Sequence, residues 1–416
     1  MFYVFENSPF IGLNSSLNEA TGPDAFHRRP KRLYEAAAMK RLGWLLCLIT
    51  VLVVAGCGGS STDQPPLAAN PGPRWTPPDP AALSPQLQDI VNTALAANNI
   101  PGALIGVFTP NGSWTSATGF GNLNPEEPIA FNQIFPWRSI TKSLTVTVVL
   151  QLVAEGQLDL DDPVGAYVGG VPNGQNITLR QLAAMRSGLF NYTKDAEFQQ
   201  QFGSDLTAPW TDQQLLDVAF SHPVNFTAGS QYEYSNTNTI LLGVVAENIT
   251  GQNLAEMIQE RILDPLDLAD SLYMTGTQLP SPFVRGYTFD SPNFVELVSN
   301  ATALSGSGAM AGTLADLRAW GAALVAGTLL PGDLQQQRFF SGPTDSGPFY
   351  DSYGLGIGEI RGWWGHTGSG LGYEICIFTE PNSGSQIVVL VNATNQNSDV
   401  PADITADILD TLGWPF

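Results

Sequence analysis

Ser139 and Lys142 stand three residues apart in Phe135-Pro-Trp-Arg-Ser-Ile-Thr-Lys142, directly ahead of an apolar run. On a helix such a pair shares one face. Serine is a weak nucleophile until a base within hydrogen-bond reach takes its proton. Lysine, with a pKa of about 10.4 in water, is protonated at neutral pH and cannot be that base. Burial changes this, because a low-dielectric surround disfavours the ammonium form. Leu144, Val146, Val148, Val149, Leu150, Leu152 and Val153 leave almost no polar face, as in a helix inside a domain. Lysine is also scarce here: beyond Cys57 the chain has only Lys142 and Lys194. A serine beside an amine that burial can neutralise is equipped for acyl transfer.

Two further stretches carry groups that such a reaction needs. Tyr234-Ser-Asn236 sits in a short polar loop ahead of a helical pattern. Its tyrosine can relay a proton and its asparagine can hold an amide or carbonyl. His366-Thr-Gly-Ser369 lies inside the glycine-dense stretch Gly362 to Gly372 and precedes a strand pattern. Glycine there lets another backbone lie close along a strand edge. Each triplet is common by itself, and it is their order along the chain that carries information.

Ser-x-x-Lys, Tyr-x-Asn and His-Thr-Gly, in that order, resemble the motif set of the serine β-lactamase and penicillin-binding protein family. The resemblance is to its class C β-lactamase and D-Ala-D-Ala carboxypeptidase branch, over roughly residues 82–416. Framework stretches fit as well: Ile177-Thr-Leu-Arg-Gln-Leu182 before Ser187-Gly-Leu189, Gly312-Thr-Leu-Ala-Asp316, and Tyr353-Gly-Leu-Gly356. The resemblance implies Ser139 as nucleophile, Lys142 as its base and Tyr234 as partner in proton transfer. It implies Asn236 as holder of the acyl amide, His366 and Thr367 as receivers of the substrate's carboxylate end, and Gly368 as a further substrate-binding residue. The backbone N–H groups of Ser139 and Ser369 would form the oxyanion hole. Two departures stand out. The third motif opens with His366 in place of lysine, so the fixed cation of class C β-lactamases is missing. Met185-Arg186 stands where relatives often have His-Thr.

The elements that must position these groups read as α+β. Ser84 to Asn99 carries apolar residues at i, i+3, i+4, i+7 and i+8 and is stopped by Ile100-Pro-Gly102. Ala103 to Thr109 and Ser113 to Thr118 read as a hairpin about Asn111-Gly112. Helical spacing follows the Ser139 segment at Leu179–Arg186, Thr211–Phe220, Asn236–Asn248 and Leu254–Leu263. A strand pattern at Phe283–Phe289 comes next, then a helix opening at Thr313 with Asp316 three residues on. The last third is strand-rich, at Gly354–Ile360, Leu371–Phe378 and Gln386–Asn392, and Ala402–Leu412 closes it as a helix. The expected architecture is one antiparallel sheet flanked by N- and C-terminal helices, with an inserted all-helical subdomain.

The N-terminal region reads differently. Residues 1–38 are polar and aperiodic and receive no fold, with Met39 as the expected start. Residues 39–57 read as a lipoprotein signal: Lys40-Arg41, an apolar run from Leu42 to Val54 that is shorter than a bilayer span of ~20 residues, then Val54-Ala-Gly-Cys57. Cys57 is the expected lipidation point, and localisation follows as export and lipid anchoring in a bacterial cell envelope. Residues 58–80, rich in Gly, Ser and Pro, read as a tether. Of the remaining cysteines, Cys47 lies in the signal and Cys376 alone in the domain, so no internal disulfide is expected.

Six of the 17 basic and four of the 38 acidic residues precede Cys57, which leaves 11 against 34 and a balance of −23. That excess repels nucleic acid and anionic lipid headgroups, so membrane contact is expected through the acyl chains alone. His27, His222 and His366 are too few and too scattered for a histidine metal centre, and no metal or cofactor is called for. The expected partner is a small acyl or peptidoglycan-peptide substrate. The expected function is a serine hydrolase working through an acyl-enzyme, most of all a D-alanyl-D-alanine carboxypeptidase. An esterase or amidase comes next, then a β-lactamase, then a non-catalytic envelope binding protein, which loss of Ser139 or Lys142 would have marked.

Overall fold

The computed structural model describes residues 75–340, 342–344, 350–394 and 399–415. The signal, Cys57 and most of the tether lie outside the described residues. The last tether residues, however, belong to the domain. Trp75 packs edge-on against Trp414 and Trp363 at 4.8 and 6.1 Å between ring centroids. Asn111 Nδ2 and the Thr109 hydroxyl donate to the carbonyls of Pro77 and Pro78.

Among the described residues, nine antiparallel strands form the main sheet. In chain order they are β1 (Gly102–Thr109), β2 (Gly112–Leu123), β3 (Glu126–Pro128), β4 (Gly342–Pro343), β5 (Ser352–Tyr353), β6 (Gly358–Ile360), β7 (Trp363–Gly370), β8 (Tyr373–Thr379) and β9 (Gln386–Val391). Across the sheet the order is β3-β2-β1-β9-β8-β7-β6-β5-β4. The first and last thirds of the chain thus meet at β1 and β9, with Ala103 opposite Val391. Helix α1 (Ser84–Asn98) presents Leu87, Val91 and Leu95 to the sheet and ends where Asn99 turns left-handed. The closing helix (Val400–Thr411) packs beside it through Val400, Ile404 and Ile408, and these residues share one core.

The other face of the sheet carries the larger core, built around α2 (Thr141–Ala154), α3 (Asn236–Thr250) and α4 (Leu314–Ala326). Every residue of α2 from Thr141 to Leu152 except Gln151 is buried, so this helix runs through the interior as its sequence requires. Thr313 caps α4 by accepting the Asp316 N–H. The middle of the chain is mostly helical, with Ala196–Ser204 as a helix not anticipated above. A small sheet matters for the site: Phe135–Pro136 pairs with Met310–Gly312, so the strand leading into Ser139 lies beside the loop that precedes Met310.

Candidate active site

Ser139 lies in a 3₁₀ turn, Arg138–Ile140, two residues ahead of the first residue of α2 rather than inside it. The turn leaves Ser139 half-exposed between buried Arg138 and Ile140. Lys142, on the first turn of α2, is fully buried, with Nζ 3.0 Å from Ser139 Oγ and 2.8 Å from the Ser307 carbonyl oxygen. It also lies 4.9 Å from the centroid of the Tyr234 ring. Burial holds its pKa well below the ordinary 10.5, and the polar partners described for it are a hydroxyl and a carbonyl, not an anion. A neutral amine fits both contacts: one N–H donates to Ser307 and the lone pair accepts the Ser139 hydroxyl proton. Ser307 was invisible to the motif reading. It is fixed by α2 itself, since the Thr145 hydroxyl donates to the Gly306 carbonyl and Met310 N–H donates to the Thr141 hydroxyl.

Tyr234, 4% exposed, closes the other side, its hydroxyl hydrogen-bonded to Ser139. Burial pushes its pKa well above the ordinary 10, partly offset by that bond, so the phenol keeps its proton at neutral pH. Two residues on, Asn236 opens α3, and its backbone N–H donates to Asn191 Oδ1 at 3.2 Å. Asn191 is itself buried and its Nδ2 has no protein partner among the described residues. No motif pointed to Asn191; its position two residues after Leu189 in the framework stretch was the available signal.

The glycine-dense stretch holds strand β7, Trp363–Gly370, and the turn that follows it. Gly368 is needed for contact: a Cβ there would lie 2.3 Å from the Trp137 carbonyl oxygen and 3.1 Å from the Ser139 nitrogen. Ser369, the next residue, is half-exposed beside the nucleophile turn. Ser139, Lys142, Tyr234, Gly368 and Ser369 therefore converge.

His366 departs from expectation. It is fully buried, with Nε2 3.0 Å from the Tyr353 hydroxyl and Nδ1 2.5 Å from the Thr367 carbonyl oxygen. Nδ1–H donating to that carbonyl and Nε2 accepting from Tyr353 satisfies both nitrogens of a neutral ring. Burial, then the nearby Lys142 charge, pull its pKa from 6.5 to about 3. Thr367 is occupied too: its N–H donates to the Tyr350 hydroxyl at 2.7 Å, and its own hydroxyl lies 3.0 Å from the same oxygen. The resemblance puts His366 at the substrate carboxylate; in the fold both of its ring nitrogens are bonded within the protein and the ring is buried. Tyr350 and Tyr353 take up the hydrogen bonds that such a carboxylate would need, in a setting that strips the ring of water.

A serine held between a buried lysine and a tyrosine, on an antiparallel sheet with a helical insertion, is the arrangement of the acyl-transferring serine hydrolases. The sequence profile of the family described as Beta-lactamase matches residues 87–411, and the chain belongs to this family. Among solved structures it is similar to a D-stereospecific amidohydrolase from a Streptomyces species, with a TM-score of 0.70 and 30% identity over 78% of this chain and 98% of that one. A D-amino acid amidase from Ochrobactrum anthropi SV3 has the same fold, with a TM-score of 0.69 at 22% identity over 79% of this chain and 99% of that one. A Bacillus subtilis protein named as a penicillin-binding protein, PbpX, is 25% identical over 69% of this chain and 70% of its own length. The chain spans only 38% of the length of Protein flp from Staphylococcus aureus (strain MW2), at 29% identity.

Proposed function

We propose that the protein hydrolyses amide or ester bonds of small D-amino-acid derivatives through an acyl-enzyme on Ser139. Lys142 takes the serine proton as the hydroxyl adds to the carbonyl carbon. Tyr234, still a phenol, gives its proton to the departing nitrogen or oxygen and takes one back from the Lys142 ammonium, which restores both groups. Water then adds to the acyl carbon and releases the acid and free Ser139. Asn236 holds the acyl amide, and the N–H groups of Ser139 and Ser369 receive the developing oxyanion. The observation that carries the choice of substrate is His366, buried and neutral between Tyr350 and Tyr353, so no cation from it meets a terminal carboxylate. A substrate with an uncharged leaving group suits such a site better than a peptide ending in a carboxylate. The likeness to a D-stereospecific amidohydrolase along nearly that protein's whole length supports the same reading. The D-alanyl-D-alanine carboxypeptidase reading stands second, supported by the relative named as a penicillin-binding protein.

The test is intact-mass analysis after exposure to a fluorophosphonate and a penicillin, together with turnover of D- and L-phenylalanine amide and a D-alanyl-D-alanine peptide. The expected result is a Ser139 adduct, with the D-amide cleaved faster than either the L-amide or the peptide. Faster cleavage of the carboxylate-ended peptide would move the assignment to carboxypeptidase. An absent Ser139 adduct would refute acyl transfer altogether. We further propose that the enzyme works in the cell envelope, tethered by lipid at Cys57, on the strength of Lys40-Arg41, the short apolar run and Val54-Ala-Gly-Cys57.

A further inference from the structure

Arg138, directly before the nucleophile, is a residue that neither the motifs nor the proposed mechanism uses. Its backbone is left-handed, with φ +51°, a conformation that strains a side-chain-bearing residue and costs glycine almost nothing. A chain that needed only the turn would be better served by glycine here. The arginine side chain is 4% exposed, and Nη2 donates to the Leu371 carbonyl at 3.0 Å. Its guanidinium carbon lies 5.1 Å from the centroid of the Tyr373 ring. Burial lowers its pKa only to about 10, so it stays charged at neutral pH.

These contacts join two separate elements. Ser139, whose N–H is one oxyanion donor in the proposed mechanism, follows Arg138 in the 3₁₀ turn. Ser369, which supplies the other, lies two residues before Leu371 at the end of β7, and Gly370 pairs with Tyr373 across the hairpin. An oxyanion hole works only if both donors sit about 2.7–3.1 Å from where the charge develops, and small misplacements are costly. Gly368 sets how near β7 comes to the turn, but a glycine contact cannot hold the hairpin in place. We infer that Arg138 is a positioning residue, a strut that runs from the nucleophile turn to the β7–β8 hairpin and fixes the spacing of the two oxyanion donors. The inference rests on the acyl-transfer reading of Ser139.

The experiment compares wild type with Arg138→Met, Arg138→Gly and Tyr373→Leu. Each is assayed on phenyl acetate and its thiono counterpart, whose sulfur is a poorer acceptor for oxyanion donors, and for inhibition by phenylboronic acid. In Arg138→Met, kcat/KM for the oxygen ester should fall on the order of 10²-fold with KM within about twofold. Boronate affinity should fall in parallel, and the preference for the oxygen ester over the thiono ester should shrink. Arg138→Gly relieves the backbone and should show the same kinetic loss without a lower melting temperature than Arg138→Met. Tyr373→Leu loosens the guanidinium without touching the turn and should show a smaller shift of the same kind, so the strut remains testable if neither Arg138 variant folds. Equal losses on both esters with unchanged boronate affinity, or rates like wild type, overturn the strut. A wild type whose Ser139 takes up no fluorophosphonate overturns the acyl-transfer reading and the strut with it; a labelled wild type beside unaffected variants overturns the strut alone.

Discussion

Replacing Lys142 by methionine keeps the length and apolar body of the side chain and deletes the amine. If that amine is the neutral base, acylation of Ser139 should fall by about 10²–10⁴-fold. Stability should respond in a direction that depends on pH. Burial holds the Lys142 pKa below its ordinary value, so between the two values the unfolded chain binds a proton that the folded chain does not. Wild type therefore loses stability as pH falls below about 10.4, at about 1.4 kcal/mol per unit, until the folded pKa is reached, and below it the loss is constant. Methionine removes this loss. Against it stands a pH-independent cost of about 1–3 kcal/mol, because the buried Ser307 carbonyl loses its donor. The variant should thus be the less stable protein near pH 10 and gain steadily on wild type as the pH is lowered. Urea denaturation of both proteins from pH 7 to 10 measures the difference, in which other titrations cancel, and fluorophosphonate labelling gives the acylation rate. A difference that does not change with pH would show that Lys142 is protonated in the fold, and labelling near the wild-type rate would remove it as the base.

With His366 at about 3 and neutral above it, the ratio of kcat/KM for a carboxylate substrate to that for a matched neutral ester should be flat from pH 5 to 8; a rise through pH 6.5 would restore the imidazolium. Gly368→Ala places a Cβ 2.3 Å from the Trp137 carbonyl oxygen and must push β7 off the nucleophile turn. Activity should drop more than tenfold at a stability cost of about 1–3 kcal/mol, and an alanine variant with normal rates would separate that contact from the site. Cys57→Ala should abolish lipid attachment and block signal removal. A variant processed and partitioned into detergent like wild type would refute the anchor.

What the sequence made legible follows the reach of each signal. The fate of Lys142 could be read because α2 carries its burial in its own residues, from Leu144 to Leu152. The order of the three motifs was likewise enough to place Tyr234 beside Ser139. Ser307 was not legible, since its carbonyl meets Lys142 across 165 residues and a backbone acceptor leaves no mark in residue type. The surroundings of His366 were not legible for a related reason: they are set by Tyr350 and Tyr353, 16 and 13 residues upstream. The glycines from Gly362 to Gly372 signalled a close backbone approach but not its partners: β7 uses Gly365 to approach a neighbouring strand and Gly368 to approach the nucleophile turn.

The histidine that replaces lysine in the third motif bears on how the base is kept neutral. A permanent cation at position 366 would lie within the field of Lys142 and help to drive off its proton. Neutral His366 gives no such help, and the depression of the Lys142 pKa has burial as its cause. The fold must then keep water from the first turn of α2, and the fully buried Thr141, Lys142 and Ser143 are how it does so. The same arrangement disfavours an anionic substrate. A carboxylate brought close to Lys142 would favour the ammonium and take away the base that the reaction needs, with no fixed cation at 366 to balance it. A neutral amide or ester leaves the amine unprotonated. On the proposed mechanism, selectivity for uncharged leaving groups and dependence on a desolvated lysine are one property of the site, and a substitution that admits water to Lys142 should weaken both together.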